Sequence, residues 1–267
     1  MTQSRFTDKV AVVTGGASGI GEAVVRTLVA EGAHVVVVDV QEDKAQALAA
    51  ELGESVTVRV ADVSREDEYG AVITETAQRH GRLDLVVNNA AIEGPLGSIA
   101  EVPADAWDRT MSVVLGSVFV GTKFAAQVMK EQRSGVILNV ASAAGVAPGL
   151  GPHAYTAAKH GVIGLTKSTA VELSPYGIRV NAVAPGRVIT PLTAARVGGD
   201  LESAIAIEEE RSPFGRAPLP QDLADVITYL LSDSAWYVNG ECVTVDGANG
   251  VLVTRARGVF YQDGPES

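Results

Sequence analysis

The stretch Val10-Ala-Val-Val-Thr-Gly-Gly-Ala-Ser-Gly-Ile-Gly21 constrains the fold more than any other part of the chain. It opens with a short β-branched run, the composition of a buried strand, and breaks directly into glycines. Residues 22–30 then have helical composition, so the segment reads as strand, turn and helix. Glycines at such a turn allow a tight bend and let backbone N–H groups approach an anion at the positive end of the helix. Glycine turns are common; the position between strand and helix is what points to a dinucleotide pyrophosphate.

The alternation continues along the chain. Residues 34–39, 56–63, 83–91, 136–141, 178–186 and 241–247 read as further strands, and 41–52, 66–80, 104–130, the segment from Tyr155 onward and 222–232 as helices. Repeated βαβ units imply a parallel sheet with helices on both faces, a doubly wound Rossmann-type α/β fold. The chain has 267 residues, no Pro/Ser-rich linker and no long repeat, so 1–267 reads as one domain.

Bulk properties narrow the partners. A formal charge of -11 without any Lys/Arg cluster argues against nucleic acid. Cys242 is the single cysteine; it has no internal partner and reads as core rather than nucleophile. No His/Cys/Asp cluster has metal-ligand spacing, so no metal is expected. The N-terminus lacks an apolar signal segment and no later run approaches the length that crosses a bilayer, so a cytoplasmic protein without a membrane partner is expected.

Two constellations carry chemistry. Asp39 ends the second strand about 20 residues past the glycine turn, where an acid can accept hydrogen bonds from the adenosine ribose. Gly16, Ala17, Ser18 and Val40 offer no cation for a 2'-phosphate, so NAD is expected over NADP. A strand-end turn residue is the other reading of Asp39, and the neighbouring glycine turn favours the cofactor role. Further on, Ser142 follows a buried strand, while Tyr155 and Lys159, four apart, share one helix face. A phenol with a pKa near ~10 is a poor base at neutral pH, and an adjacent cation favours its ionised form. Tyr and Lys at this spacing usually make an ordinary amphipathic surface. The order Ser, Tyr, Lys behind a dinucleotide turn gives them chemical meaning.

With Gly15, Gly19 and Gly21 in a G-x-x-x-G-x-G turn, followed by Ser142, Tyr155 and Lys159, the sequence resembles the short-chain dehydrogenase/reductase family over nearly its whole length. The resemblance implies that Tyr155 takes the hydroxyl proton of a secondary alcohol as hydride leaves for nicotinamide, that Ser142 donates a hydrogen bond to the substrate oxygen, and that Lys159 supports Tyr155 and binds the nicotinamide ribose. It implies NAD contacts from Gly15, Ser18, Gly19, Ile20, Gly21 and Asp39, from Asp62 and Val63 at the adenine, from Asn89, Ala90, Tyr155 and Lys159, and from Pro185, Gly186, Val188 and Thr190, the last two at the carboxamide. Asn88 would tie neighbouring strands together.

The resemblance further implies a substrate lid over 187–216 with a hinge at Gly198-Gly199, and a homotetramer of 222 symmetry. The tail 251–267 is longer than usual; it reads either as a solvated terminus or as a cover over a neighbouring subunit's site. His153 reads as a pocket wall or an exposed loop residue, and His160 as pointing away. Residues 93–96, 144–153 and the lid are rich in Gly, Pro, Leu, Val and Ile. Such a pocket fits a small-molecule substrate that is a cyclic secondary alcohol: alicyclic, terpenoid or steroid-like. Two positions depart from the family pattern. Ala91 replaces the glycine of Asn-Asn-Ala-Gly, and Val114 stands where an asparagine usually holds a water of the proton relay, which valine cannot do. Two other readings remain: an NADP-dependent 3-oxoacyl thioester reductase, which should show a basic residue near the ribose, and a non-catalytic NAD-binding regulator, motivated by Val114.

Overall fold

The computed structural model describes residues 4–194 and 200–248. Seven strands form one parallel sheet: β1 (Val10–Thr14), β2 (His34–Asp39), β3 (Val56–Val60), β4 (Leu85–Asn88), β5 (Gly135–Val140), β6 (Ile178–Pro185) and β7 (Cys242–Val245), in the order β3-β2-β1-β4-β5-β6-β7. The chain winds outward from β1 to β3, then crosses back to β4 and winds the other way. The strand order therefore reverses between β1 and β4, and the crevice at their carboxyl ends is where such sheets bind ligands.

Strand alternation decides which helix covers which face. Ala11, Val13, Val35 and Val37 pack with α1 (Gly19–Ala30), α2 (Glu42–Leu52) and α9 (Pro220–Leu231), burying Val24, Leu28, Leu48, Leu223 and Ile227. Val12, Val36, Val38 and Ile137 face the other way, onto Ile73 of α3 (Glu66–His80), Met129 of α5 (Ser117–Gln132) and Leu173 of α6 (His153–Leu173). Each fully buried Val, Leu or Ile side chain contributes roughly 1.5–3 kcal/mol relative to exposure.

The expected helix over 104–130 has an interruption. α4 (Ala104–Met111) opens into a π-turn, Ser112–Gly116, before α5 continues. π-turns often mark functional sites, and this one has Val114 at its centre with its side chain fully buried. The run Ala104–Gln132 is 29 residues long and apolar enough to cross a membrane. That corrects the expectation that no run has the length; small and apolar residues interspersed with few charges reach the threshold without an unbroken apolar tract. Here the helix packs in the layer with α3 and α6.

One buried polar chain crosses the sheet. Tyr69 Oη donates to Asn88 Oδ1 (2.8 Å), Asn88 Nδ2 to Asn139 Oδ1 (2.9 Å), and Asn139 Nδ2 to Thr166 Oγ1 (2.9 Å). It joins α3, β4, β5 and α6, and none of the four residues is more than 3% exposed. Asn88 thus ties neighbouring strands as expected.

Beyond β6, the expected lid segment holds two helices, α7 (Pro191–Ala194) and α8 (Leu201–Arg211). The hinge expected at Gly198-Gly199 and the tail 251–267 lie outside the described residues.

Candidate active site

The glycine turn is folded back on itself. Gly15 adopts φ +61°, and a Cβ there would lie 2.9 Å from Asn89 Nδ2; a Cβ on Gly21 would overlap the Gly15 carbonyl oxygen. Ser18 occupies the N-cap of α1 without making a side-chain cap hydrogen bond. The first-turn N–H groups of a helix have no intrahelical acceptor, so this end is a cradle for an anion. The residues present fit a dinucleotide pyrophosphate.

Three residues hold the cradle in place. Asp39, 6% exposed, accepts from the Ala17 N–H (3.1 Å) across the turn and from the Gln41 N–H (2.9 Å). Asn89 Nδ2 donates to the Thr14 and Gly15 carbonyls at 2.9 and 3.1 Å, and the Asn89 N–H donates to Thr14 Oγ1 at 2.9 Å. Thr14 Oγ1 also accepts from Ala90 N–H at 3.1 Å. Thr190 approaches from the other side: a Cβ on Gly19 would lie 3.1 Å from its methyl group. Val188 is buried, Gly186 N–H donates to the Val245 carbonyl, and the Thr190 N–H donates to Thr193 Oγ1. The segment from Pro185 to Thr190 therefore runs beside the cradle rather than apart from it. Asp62 and Val63 stand past the end of β3, with Val63 buried and Asp62 bonded to Ser64 and Arg109.

Ser142 leaves the carboxyl end of β5 and caps a short 3-10 turn, Ala143–Gly145, accepting from the Ala144 N–H at 3.1 Å. That turn lies directly on α6: a Cβ on Gly145 would sit 2.8 Å from the Lys159 carbonyl. A Cβ on Gly151 would lie 3.1 Å from both the Tyr155 ring and the Ala144 methyl. Ser142, Tyr155 and Lys159 are thus gathered at one place, from the end of a strand and one face of a helix.

Lys159 is 2% exposed, donates to the Val140 carbonyl at 2.5 Å and sits 5.5 Å from the centroid of the Tyr155 ring. Burial pushes its pKa down to about 7, because desolvation disfavours the ammonium. An amine poised there exchanges its proton readily near neutral pH, and charge on the neighbouring phenol draws the proton onto it. His153 is exposed at the start of α6 rather than in a loop, and the exposed His160 bonds the Thr156 carbonyl. Cys242 is half-buried in β7, and burial raises its thiol to about 11, so it is no nucleophile near neutral pH. Among the described residues no His/Cys/Asp/Glu group is arranged to hold a metal.

The sequence reading did not reach Arg109, which meets Asp62 from α4, or Gly145, which admits the Ser142 turn to α6. Neither stands at a spacing that relates it to its partner.

The sequence pattern of the family described as "Enoyl-(Acyl carrier protein) reductase" matches residues 15–248. Levodione reductase of Leifsonia aquatica is 41% identical over 257 residues, covering 91% of this chain and 95% of that protein. (+)-Borneol dehydrogenase 2 of Salvia officinalis is 39% identical over 257 residues, covering 91% and 89%. The crystal structure of levodione reductase superposes with a TM-score of 0.86 at 40% identity, covering 92% of this chain and 99% of the other. Matched in sequence and fold over nearly its whole length, and carrying Ser142, Tyr155 and Lys159 beside a dinucleotide cradle, the chain belongs to the short-chain dehydrogenase/reductase family of oxidoreductases.

Proposed function

We propose that the protein is an NAD-dependent dehydrogenase that interconverts a cyclic secondary alcohol, alicyclic, terpenoid or steroid-like, and its ketone. The observation that carries the chemistry is Lys159, buried beside the Tyr155 ring with a pKa near 7. A nicotinamide cofactor, when bound, supplies the hydride acceptor. Tyr155 takes the alcohol proton at its phenol oxygen, Lys159 stabilises the phenolate, and Ser142 donates to the substrate oxygen as it becomes a carbonyl. The glycine turn and the N-terminus of α1 bind the pyrophosphate, and Asn89, Ala90 and the segment Pro185–Thr190 flank the cofactor.

Asp39 favours NAD. It is a buried carboxylate whose hydrogen bonds come from Ala17 and Gln41, with no cation among its partners. A 2'-phosphate placed there would meet negative charge, which weighs against the NADP-linked thioester reductase. The names of the relatives support a cyclic substrate: a borneol dehydrogenase and a 3-alpha-(or 20-beta)-hydroxysteroid dehydrogenase of Mycobacterium bovis, 39% identical over 243 residues, are among them. Residues 187–216 serve as the substrate lid, excluding water on closure. The same reading includes a homotetramer working in the cytoplasm without membrane or nucleic-acid partners. The open edge of β7, whose residues are at most half-buried, is consistent with subunit association.

The test is a rate assay at the nicotinamide absorbance with cyclic alcohols and ketones, run with NAD(H) and NADP(H) in parallel. Turnover should favour NAD and fall about 10²- to 10⁴-fold in Tyr155→Phe. Activity that survives this change refutes the mechanism; tight NAD binding without turnover on any substrate supports the regulator.

A further inference from the structure

Asp62 uses its two carboxylate oxygens differently. Oδ1 accepts from the Ser64 N–H at 2.9 Å and the Ser64 hydroxyl at 2.6 Å, whereas Oδ2 meets both terminal nitrogens of Arg109 at 3.3 Å. An ionised carboxylate offers about two acceptor sites per oxygen, so Oδ1 is spent on its own turn and Oδ2 keeps capacity for an incoming donor. The Ser64 hydrogen bonds and the Arg109 charge hold the group below the usual carboxylate range, leaving it an acceptor at neutral pH.

Arg109 reaches Asp62 from α4, with its side chain 59% exposed against 28% for Asp62. A charge-assisted contact at 3.3 Å is long, and an ion pair this open to water adds little to stability. What the pair does present is an edge: an acceptor, Oδ2, beside guanidinium donors. The Watson–Crick edge of adenine is its complement, an exocyclic amino donor next to a ring-nitrogen acceptor.

We propose that Asp62 and Arg109 together read this edge, Asp62 Oδ2 accepting from the adenine amino group and Arg109 donating to the adjacent ring nitrogen. Arg109 is then a specificity-determining residue for the base of the cofactor. The inference rests on the reading above that Asp62 meets the adenine ring. Hypoxanthine carries a carbonyl and a protonated ring nitrogen at the same positions, so Oδ2 would face an oxygen and Arg109 a donor. Paired polar readout of a base edge discriminates by roughly one to two orders of magnitude, and solvent access here keeps the effect at the lower end.

The experiment compares NAD with nicotinamide hypoxanthine dinucleotide, by calorimetric binding and by initial rates, in the wild type, Arg109→Met and Arg109→Lys. The wild type should bind the hypoxanthine dinucleotide about tenfold more weakly than NAD. Arg109→Met should weaken NAD about fivefold, scarcely change the hypoxanthine dinucleotide, and so narrow the preference to about twofold. Arg109→Lys keeps the charge but loses the planar fork, and should restore only part of the preference. The loss should appear in KM for NAD, with kcat at saturation within about twofold of wild type. A wild-type preference that survives intact in Arg109→Met overturns the role of Arg109 while leaving Asp62 at the adenine. No preference in the wild type overturns both. Calorimetry reads either result whether or not the alcohol chosen for the assay is turned over.

Discussion

At the cofactor turn Asn89 makes three hydrogen bonds to Thr14 and Gly15, and the Asp39 carboxylate is held by backbone N–H groups on both sides. Across the molecule, in the segments expected to wall the substrate, Leu96, Ile99, Val146, Leu150 and Phe214 are exposed. One region consists of backbone and short polar side chains in fixed partnership; the other is a set of apolar side chains that water covers until a ligand does. The contrast shows where each kind of recognition is stored. A pyrophosphate is bound by geometry, which tolerates no added atom. An apolar ring gains about 25 cal/mol for each Å² it removes from water, and that gain depends little on which side chain supplies the area.

The contrast is broken most severely at Gly21. In Gly21→Ala the new methyl would overlap the Gly15 carbonyl oxygen, so the turn must open. NAD affinity should drop by about a hundredfold, with a stability loss of about 1–3 kcal/mol from overpacking. Calorimetric titration and denaturant unfolding measure the two; unchanged affinity would show that the turn does not hold the cofactor.

A second effect lies in the pH dependence of stability and comes from Lys159. Its pKa is about 7 in the folded chain against a reference value of 10.5. Between those values the unfolded chain binds a proton that the folded chain lacks, so the contribution of this group to stability rises with pH across the window. It is lowest below pH 7, where folding buries an ammonium. Compared with Lys159→Met, which cannot titrate, the wild type should gain up to about 1.4 kcal/mol per pH unit between pH 7 and 10. A pH-independent difference in unfolding free energy would contradict the burial of the amine.

The smallest effect is a paired one that sharpens the contrast between fixed and unfixed side chains. Asn139→Leu strands Asn88 and Thr166 in the core and should cost about 1–3 kcal/mol. Phe214→Ala should change stability by less than about 0.5 kcal/mol and yet alter KM for the alcohol, with the KM for NAD unchanged. Should Phe214→Ala leave the substrate panel unaffected, the lid segment would not contribute that wall.

Regular elements were legible where periodicity and composition agreed. The second strand and the third helix stand where expected, at His34–Asp39 and Glu66–His80. The fourth strand is shorter than its apolar stretch, Leu85–Asn88 rather than 83–91, because Asn89 and Ala90 turn to bond Thr14. The helix after Ala104 was legible as a helix but not as one with a π-turn, since composition carries no sign of a single inserted residue. At Val114 the departure from the family pattern could be seen, while the persistence of the turn without an asparagine could not.

By itself, the sequence determined the order of strands and helices, the glycine cradle, the sign of the charge at Asp39 and the order Ser142, Tyr155, Lys159. These are local: a turn needs its glycines, a helix face its four-residue spacing, and a strand end its carboxylate within a few residues of the turn. Only the tertiary structure decided which residues share an environment across long separations. Arg109 meets Asp62 across 47 positions, and Asn88 meets Asn139 across 51. Lys159 acquires a depressed pKa because the strand end at Val140 and the Ser142 turn close over it and exclude water. Such properties arise from burial and juxtaposition, and these exist only once the helices have packed on the sheet.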